Sequence, residues 1–174
     1  MFDPLTKEAQ KVLALSKWEA ERYLSHAIDT EHILLAMAEE GGAAAQTLQE
    51  LKMDVRALRN EVDRLVDPDK LSWKGRSGKT FPLTKQSKKV LGTALKCAQI
   101  LGHQRITPDH ILLGLAHVPG GIAFEALRHL SGSDTVRDAA LRSLARSNDS
   151  GGRESPAAEV DRMRKALNEN LPRG

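Results

Sequence analysis

Aromatic side chains are scarce, at 3% of the 174 residues, which leaves few platforms on which a nucleic-acid reader would stack bases. Neither sign of charge dominates. The 26 Lys and Arg stand against 23 Asp and Glu and are interspersed with them, the pattern of a solvated mixed-charge surface. With no basic stripe, no nucleic-acid partner is expected. A single cysteine, Cys97, excludes an internal disulfide and a cysteine zinc site, and fits a reducing compartment. No apolar run is long enough for a membrane span, and Met1-Phe2-Asp3 does not open a signal peptide. A cytoplasmic protein with no membrane partner is the expectation.

Catalytic patterns are missing as well. Gly75-Arg76-Ser77-Gly78-Lys79-Thr80 ends like a phosphate-binding loop, but Trp73 stands where that loop needs its first glycine, and no strand precedes it. It reads as a basic linker. His32 and His110 are far apart in sequence and lack the spacing of a metal pair, so each is expected to be a core histidine satisfied by a backbone carbonyl. Cys97 has no histidine three or four residues away. The expectation is therefore no catalytic residue, no metal and no cofactor: not an enzyme.

The dominant positive feature is a duplication. Asp29-Thr30-Glu31-His32-Ile33-Leu34-Leu35-Ala36-Met37-Ala38 returns as Thr107-Pro108-Asp109-His110-Ile111-Leu112-Leu113-Gly114-Leu115-Ala116. Pro4-Leu5-Thr6-Lys7 returns as Pro82-Leu83-Thr84-Lys85; 83 less 5 and 110 less 32 both give an offset of 78. Two such units sharing a sequence predict a pseudo-twofold pair. Each central copy opens on an N-cap, Asp29 or Thr107, and carries an acid in the first turn. Beyond that turn each copy is apolar almost all round, as in a buried helix.

Elsewhere the apolar period is helical. Leu5, Ala9, Val12, Leu13, Ser16, Ala20 and Tyr23 share one face, and Thr6 and Thr84 sit where N-caps belong. Nothing alternates with period two, so no strand is expected. The reading is all-α, with a first repeat over 1–66, a linker over 67–81, a second repeat over 82–147, a linker over 148–155 and a C-terminal helix over 156–169. That last helix has a thin apolar stripe of Val160, Met163 and Leu167.

Several residues are candidates for recognition. Trp18 projects from the face opposite Val12 and Ser16, and an exposed Trp is typical of interfaces. Thr6 and Thr84 begin helices whose free amides can receive an anion. Glu31 and Asp109 can receive a cation such as a guanidinium.

Thr30-Glu31-His32-Ile33-Leu34-Leu35, with Leu5-Thr6 and Ala9-Gln10-Lys11-Val12-Leu13-Ala14-Leu15, resembles the Clp N-terminal repeat, the domain that precedes the ATPase modules of Clp unfoldases. The resemblance covers about residues 1 to 147 and closely follows the ClpC type. It implies two tandem four-helix Clp repeats that dock adaptors and tagged substrates, and in ClpC relatives also phosphoarginine. By resemblance, Glu31 matches the guanidinium-binding glutamate, Asp109 holds its place in the second repeat, and Thr6, Thr30 and Thr84 belong to the ligand sites. Phe2, Leu83 and Lys88 match positions that cyclic-peptide antibiotics contact. The sequence departs from the family at Pro4, Asp29, Leu83, Thr107 and Pro108.

The resemblance implies a non-catalytic protein-binding module of the Clp chaperone–protease system: an adaptor, competitor or decoy. The alternative is an accessory subunit on the protease core or unfoldase ring, or the N-domain of a full Clp ATPase. With no ATPase module in the sequence, the stand-alone form is the expectation. Glu31 is expected to reach the first-helix start at Thr6, and binding is expected to be dominated by the Glu31 site.

Overall fold

The computed structural model describes residues 4–71, 80–147 and 154–172. Nine α-helices form among them and no strand does. In the first repeat, α1 (Lys7–Arg22), α2 (Thr30–Glu40), α3 (Ala43–Glu50) and α4 (Val55–Leu65) lead to a short 3-10 turn, Pro68–Leu71. The second repeat holds α5 (Lys85–Ile100), α6 (Pro108–His117), α7 (Ile122–Leu130) and α8 (Ser133–Ser147), and α9 (Pro156–Asn170) comes after it.

The helices start where short polar side chains meet orphan amides. The Thr6 hydroxyl accepts from the Ala9 N–H at 3.2 Å, and Thr84 from that of Ser87 at 3.1 Å. Asp54 and Ser155 cap α4 and α9 in the same way. Gly41, at φ 82°, ends α2 in the left-handed conformation that glycine adopts without strain.

Every residue of α2 from Thr30 to Ala38 is buried, as is every residue of α6 from Pro108 to Ala116. These two helices are the core, and the others wrap them. α1 packs on α2 as α5 packs on α6. Two isolated parallel bridges join the halves, Leu5 with Ile106 and Ile28 with Leu83. Leu83 is the repeat mate of Leu5, and Ile106 that of Ile28, so the bridges exchange under the pseudo-twofold. The fold is thus two tandem four-helix repeats plus a C-terminal helix. The stripe of α9 is sufficient to dock it: Val160, Met163 and Leu167 are buried and α9 lies against α8 and α5. No single helix among the described residues is long and apolar enough to cross a membrane.

Gly114 marks the closest approach of α5 and α6. A Cβ built there would stand 2.6 Å from the Val90 carbonyl oxygen, whereas the first repeat has Ala36 at the equivalent place. Alanine's helix propensity favours the substitution by about 1 kcal/mol, but overpacking costs about 1–3 kcal/mol. Gly114→Ala is therefore expected to lower the urea midpoint. An unchanged or higher midpoint would show that the two helices can separate freely.

Candidate functional site

The functional features gather at the two seams where the bridges join the repeats. At one seam the Ile28 N–H donates to the Pro82 carbonyl at 2.8 Å and the Thr84 N–H to the Ile28 carbonyl at 3.0 Å. The start of α5 thereby meets the start of α2. At the other, the Thr6 N–H donates to the Ile106 carbonyl at 3.0 Å and the Ile106 N–H to that of Pro4 at 2.7 Å, joining the start of α1 to that of α6. The expected pairing of Glu31 with Thr6 is therefore corrected: the partners cross, and the α2 end that carries Glu31 lies beside Thr84. The cause is topological, since the segment before each central helix bridges the other repeat.

The seam of α2 and α5 contains a pocket of about 350 Å³. Glu31 lines it, 6% exposed, with its Oε2 taking the Thr30 hydroxyl at a long 3.5 Å. His32 Nε2 lies 3.9 Å from Oε1, too far for a hydrogen bond. No Lys or Arg pairs with Glu31 among the described residues. Burial, with repulsion from Asp29 next, pushes its carboxyl up to about 7, while burial pushes His32 down to about 4. His32 itself is oriented by its Nδ1, which accepts the Asp29 N–H at 2.9 Å. The expectation of a carbonyl partner is corrected: the ring accepts from the amide of the N-cap, completing a capping box with the Asp29 side chain.

Asp29 has a further task. Its Oδ1 accepts the Thr84 hydroxyl at 2.9 Å, across the seam. The Thr30 hydroxyl likewise crosses, accepting the Ala123 N–H at the start of α7 at 3.3 Å. Gly121 permits that approach, because a Cβ there would lie 2.6 Å from the Thr30 hydroxyl oxygen. Asp67, Gln86, Tyr23, Leu24 and Ile122 complete the walls that matter. Leu24 is 53% exposed with φ 51°, a left-handed conformation that leucine rarely adopts. Its repeat mate, Gly102, holds the same conformation at φ 73° without that strain.

The other seam is built differently. Asp109 is 3% exposed; its Oδ2 accepts the Ser143 hydroxyl at 3.0 Å and its Oδ1 has no partner. Burial pushes its carboxyl up to about 6, with the Ser143 hydrogen bond opposing. The side chain is turned toward α8, with one oxygen held by Ser143 and the other buried without a partner. Thr107 stands where the first repeat has Asp29, and Pro108 where it has Thr30, so neither seam contact of those residues is repeated. His110 Nδ1 accepts the Thr107 N–H at 2.9 Å, and its Nε2 meets His103 Nδ1 at 2.8 Å.

Of the other expected site residues, Trp18 is 66% exposed on α1. Leu83 is half-buried against the core at the Ile28 bridge, and Lys88 is exposed. Phe2, Trp73 and the Gly75–Lys79 stretch lie outside the described residues. Sequence reasoning did not single out Leu24, Asp67, Gln86 or Ser143 for the sites. A signal existed for Leu24 alone, whose repeat mate is a glycine.

The double helical repeat, closed on a pseudo-twofold, carries an acidic side chain in the first turn of each central helix. The Clp repeat N-terminal domain family matches residues 4–130 and again 82–170, and the chain belongs to that family. It is 36% identical over 161 residues to the chaperone protein ClpB of Oceanobacillus iheyensis, covering 91% of this chain and 19% of that one. It is also 36% identical over 152 residues to the negative regulator of genetic competence ClpC/MecB of Bacillus subtilis, covering 87% and 18%. The chain thus spans about a fifth of the length of these relatives, and their ATPase parts lie outside the shared stretch. The N-terminal domain of ClpD from Arabidopsis thaliana superposes with a TM-score of 0.65 at 23% identity, covering 83% of this chain and 99% of that domain. The Hsp104 N-terminal domain of Candida albicans gives 0.63 at 17% identity, covering 90% and 99%. The Clp N-terminal domain is a non-catalytic binding domain.

Proposed function

We propose that this chain is a protein-recognition module of the Clp chaperone–protease system, working in the cytoplasm as an adaptor, competitor or decoy for substrates, adaptors or other N-domain ligands. Its partners in this reading are a Clp ATPase, the Clp protease core, adaptors or tagged substrate proteins. Family membership supports the system, and one observation supports the mode of binding: a nine-tenths buried carboxylate, Glu31, left without a cation in a pocket built by both repeats. Of the ligands implied by the resemblance, the guanidinium of a phosphoarginine is the part that this pocket suits. The cyclic-peptide positions Leu83 and Lys88 flank the same helix start, and Trp18 offers a separate contact on α1. Binding is expected to be asymmetric, because Asp109 is held toward α8 by Ser143 at 3.0 Å, whereas Glu31 lines a pocket and has only a long 3.5 Å contact with the adjacent Thr30.

The test is affinity capture from cytosol of the source organism on immobilised chain, beside the Glu31→Gln and Trp18→Ala variants. Recovery of Clp ATPase, protease core or adaptors on the parent chain, reduced at least severalfold on one variant, is the expected result. Failure to enrich any Clp component would overturn the reading. A second reading, that the chain serves as the N-domain of a full Clp ATPase or as an accessory subunit on the ring or core, is favoured by the coverage pattern. It would show as stoichiometric recovery of ring or core subunits, undiminished by Glu31→Gln.

A further inference from the structure

The lysines of α5 stand without the acids that accompany their mates on α1. Glu8, Glu19 and Glu21 of α1 become Gln86, Cys97 and Gln99, so α5 holds Lys85, Lys88, Lys89 and Lys96 and no carboxylate. All four lysines are exposed, and none forms an ion pair among the described residues. The facing wall has changed as well. In the first repeat Lys11 Nζ lies 3.6 Å from Glu40 at the end of α2. The mates of that pair are Lys89 and Val118, and the mate of Glu39 is His117. Lys89, Gly92 and Lys96 line, with Val118, Pro119 and Leu171, a pocket of about 360 Å³. From this arrangement we propose that the pocket docks an acidic segment of a partner polypeptide, with a carboxylate between Lys89 and Lys96 and an adjoining leucine-sized side chain on the apolar wall. This surface is separate from the Glu31 seam and takes a ligand of the opposite charge.

Folding alone does not favour this distribution of charge. The positive end of a helix dipole favours acids and disfavours cations. α1 has Glu8 in its first turn, whereas α5 has Lys85 there with Lys88 and Lys89 just beyond. Lys89 and Lys96 are seven positions apart, two turns along one face and about 10 Å along the axis. Between them Gly92 leaves the floor open, since a Cβ there would meet nothing within 4 Å. A glycine inside a helix costs stability relative to alanine, and no close packing calls for this one, in contrast with Gly114. His117 Nε2 meets the Pro172 carbonyl at 2.9 Å, which holds Leu171 and Pro172 as one wall of the pocket. A lysine stem can lie along such a wall while its ammonium reaches a carboxylate. Exposed ion pairs alone give little affinity, so the apolar neighbour is part of the ligand. An apolar wall without aromatic platforms suits a polypeptide better than a nucleic acid.

The experiment is a fluorescence-anisotropy titration of the full chain with a labelled, blocked hexapeptide of alternating leucine and glutamate. Its controls are a leucine–glutamine peptide, a glycine–glutamate peptide and a single-stranded RNA hexanucleotide. The leucine–glutamate peptide is expected to bind about tenfold or more tighter than each control, and to weaken as salt rises. Lys89→Gln combined with Lys96→Gln is expected to weaken it about tenfold. Lys7→Gln combined with Lys11→Gln removes the same charge from α1 and is expected to leave binding unchanged. Gly92→Leu fills the floor of the pocket and is expected to abolish binding, while its better helix propensity keeps the urea midpoint unchanged or higher. Equal or tighter binding of any control, undiminished binding in the Lys89 and Lys96 double variant or in Gly92→Leu, an equal loss in the α1 double variant, or no binding of the peptide would each overturn the inference. Binding is expected to survive Glu31→Gln, so failure of the Glu31 reading leaves this pocket standing, and failure here leaves the Glu31 reading standing.

Discussion

Arg59→Met is expected to cost about 3–5 kcal/mol of folding stability, because it strands a buried carboxylate. Arg59 grips Glu19 with both arms, Nη1 to Oε2 at 3.0 Å and Nη2 to Oε1 at 3.1 Å, and Nη2 also reaches Glu39 Oε1 at 2.9 Å. Glu19 is only 3% exposed, and the remaining cation, Arg22, lies 3.7 Å away and is itself mostly exposed. Methionine keeps the volume of the stem, so the loss reports charge rather than a cavity. The second repeat shows the alternative solution. Cys97 is the repeat mate of Glu19, is fully buried, and lies under the face that α9 covers. Adding Glu19→Leu to Arg59→Met should therefore recover most of the loss, since a buried ion pair and a packed apolar pair are often close in stability. Urea denaturation of the single and double variants forms the cycle that isolates the coupling. A loss below about 1 kcal/mol for Arg59→Met would place the pair among solvated surface bridges.

Local features were legible in the sequence and long-range ones were not. The duplication, the caps at Thr6, Asp29, Thr84 and Thr107, and the all-round apolar central helices depend on spacing within a few residues, and each appears in the structure. Burial of Glu19 was half legible: it falls three residues after Ser16, on the buried face of α1, but its partner Arg59 lies 40 positions away. The crossed seams were not legible. Whether Glu31 neighbours Thr6 or Thr84 depends on which half each bridge joins, and both halves carry the same motif. The direction of the histidine hydrogen bonds was hidden for a different reason, since an imidazole can donate or accept, and only the N-cap geometry decides. Asp29 reads as a cap in sequence because capping is local. Its second contact, with Thr84, spans 55 positions.

Binding of a guanidinium compound at the Glu31 seam, the contact proposed for this module, is expected to strengthen about a hundredfold between pH 5 and pH 8. The carboxyl of Glu31 is held up to about 7 by burial and then by Asp29, so at pH 5 it is protonated and offers a guanidinium no charge. Each pH unit below that value removes about tenfold of the competent, ionised form, and above it the gain levels off. The titratable neighbours in the pocket are Asp29, Asp67, Tyr23, His26 and His32. His32, pushed down to about 4, stays neutral across the window. Glu31→Gln isolates the Glu31 contribution from that of the other neighbours. Stability carries the opposite sign. A carboxyl raised in the folded state contributes stability that is present below its ordinary 4.5 and lost as pH rises to about 7. The depressed His32 contributes stability that is present above its ordinary 6.5 and lost as pH falls through about 4. The pocket therefore becomes a better receptor as the Glu31 contribution to stability fades, the trade expected where a buried charge waits for its partner. Calorimetric titrations across the range check this. A flat affinity profile in the parent chain, or an equally steep one in Glu31→Gln, would remove Glu31 as the group that meets the cation.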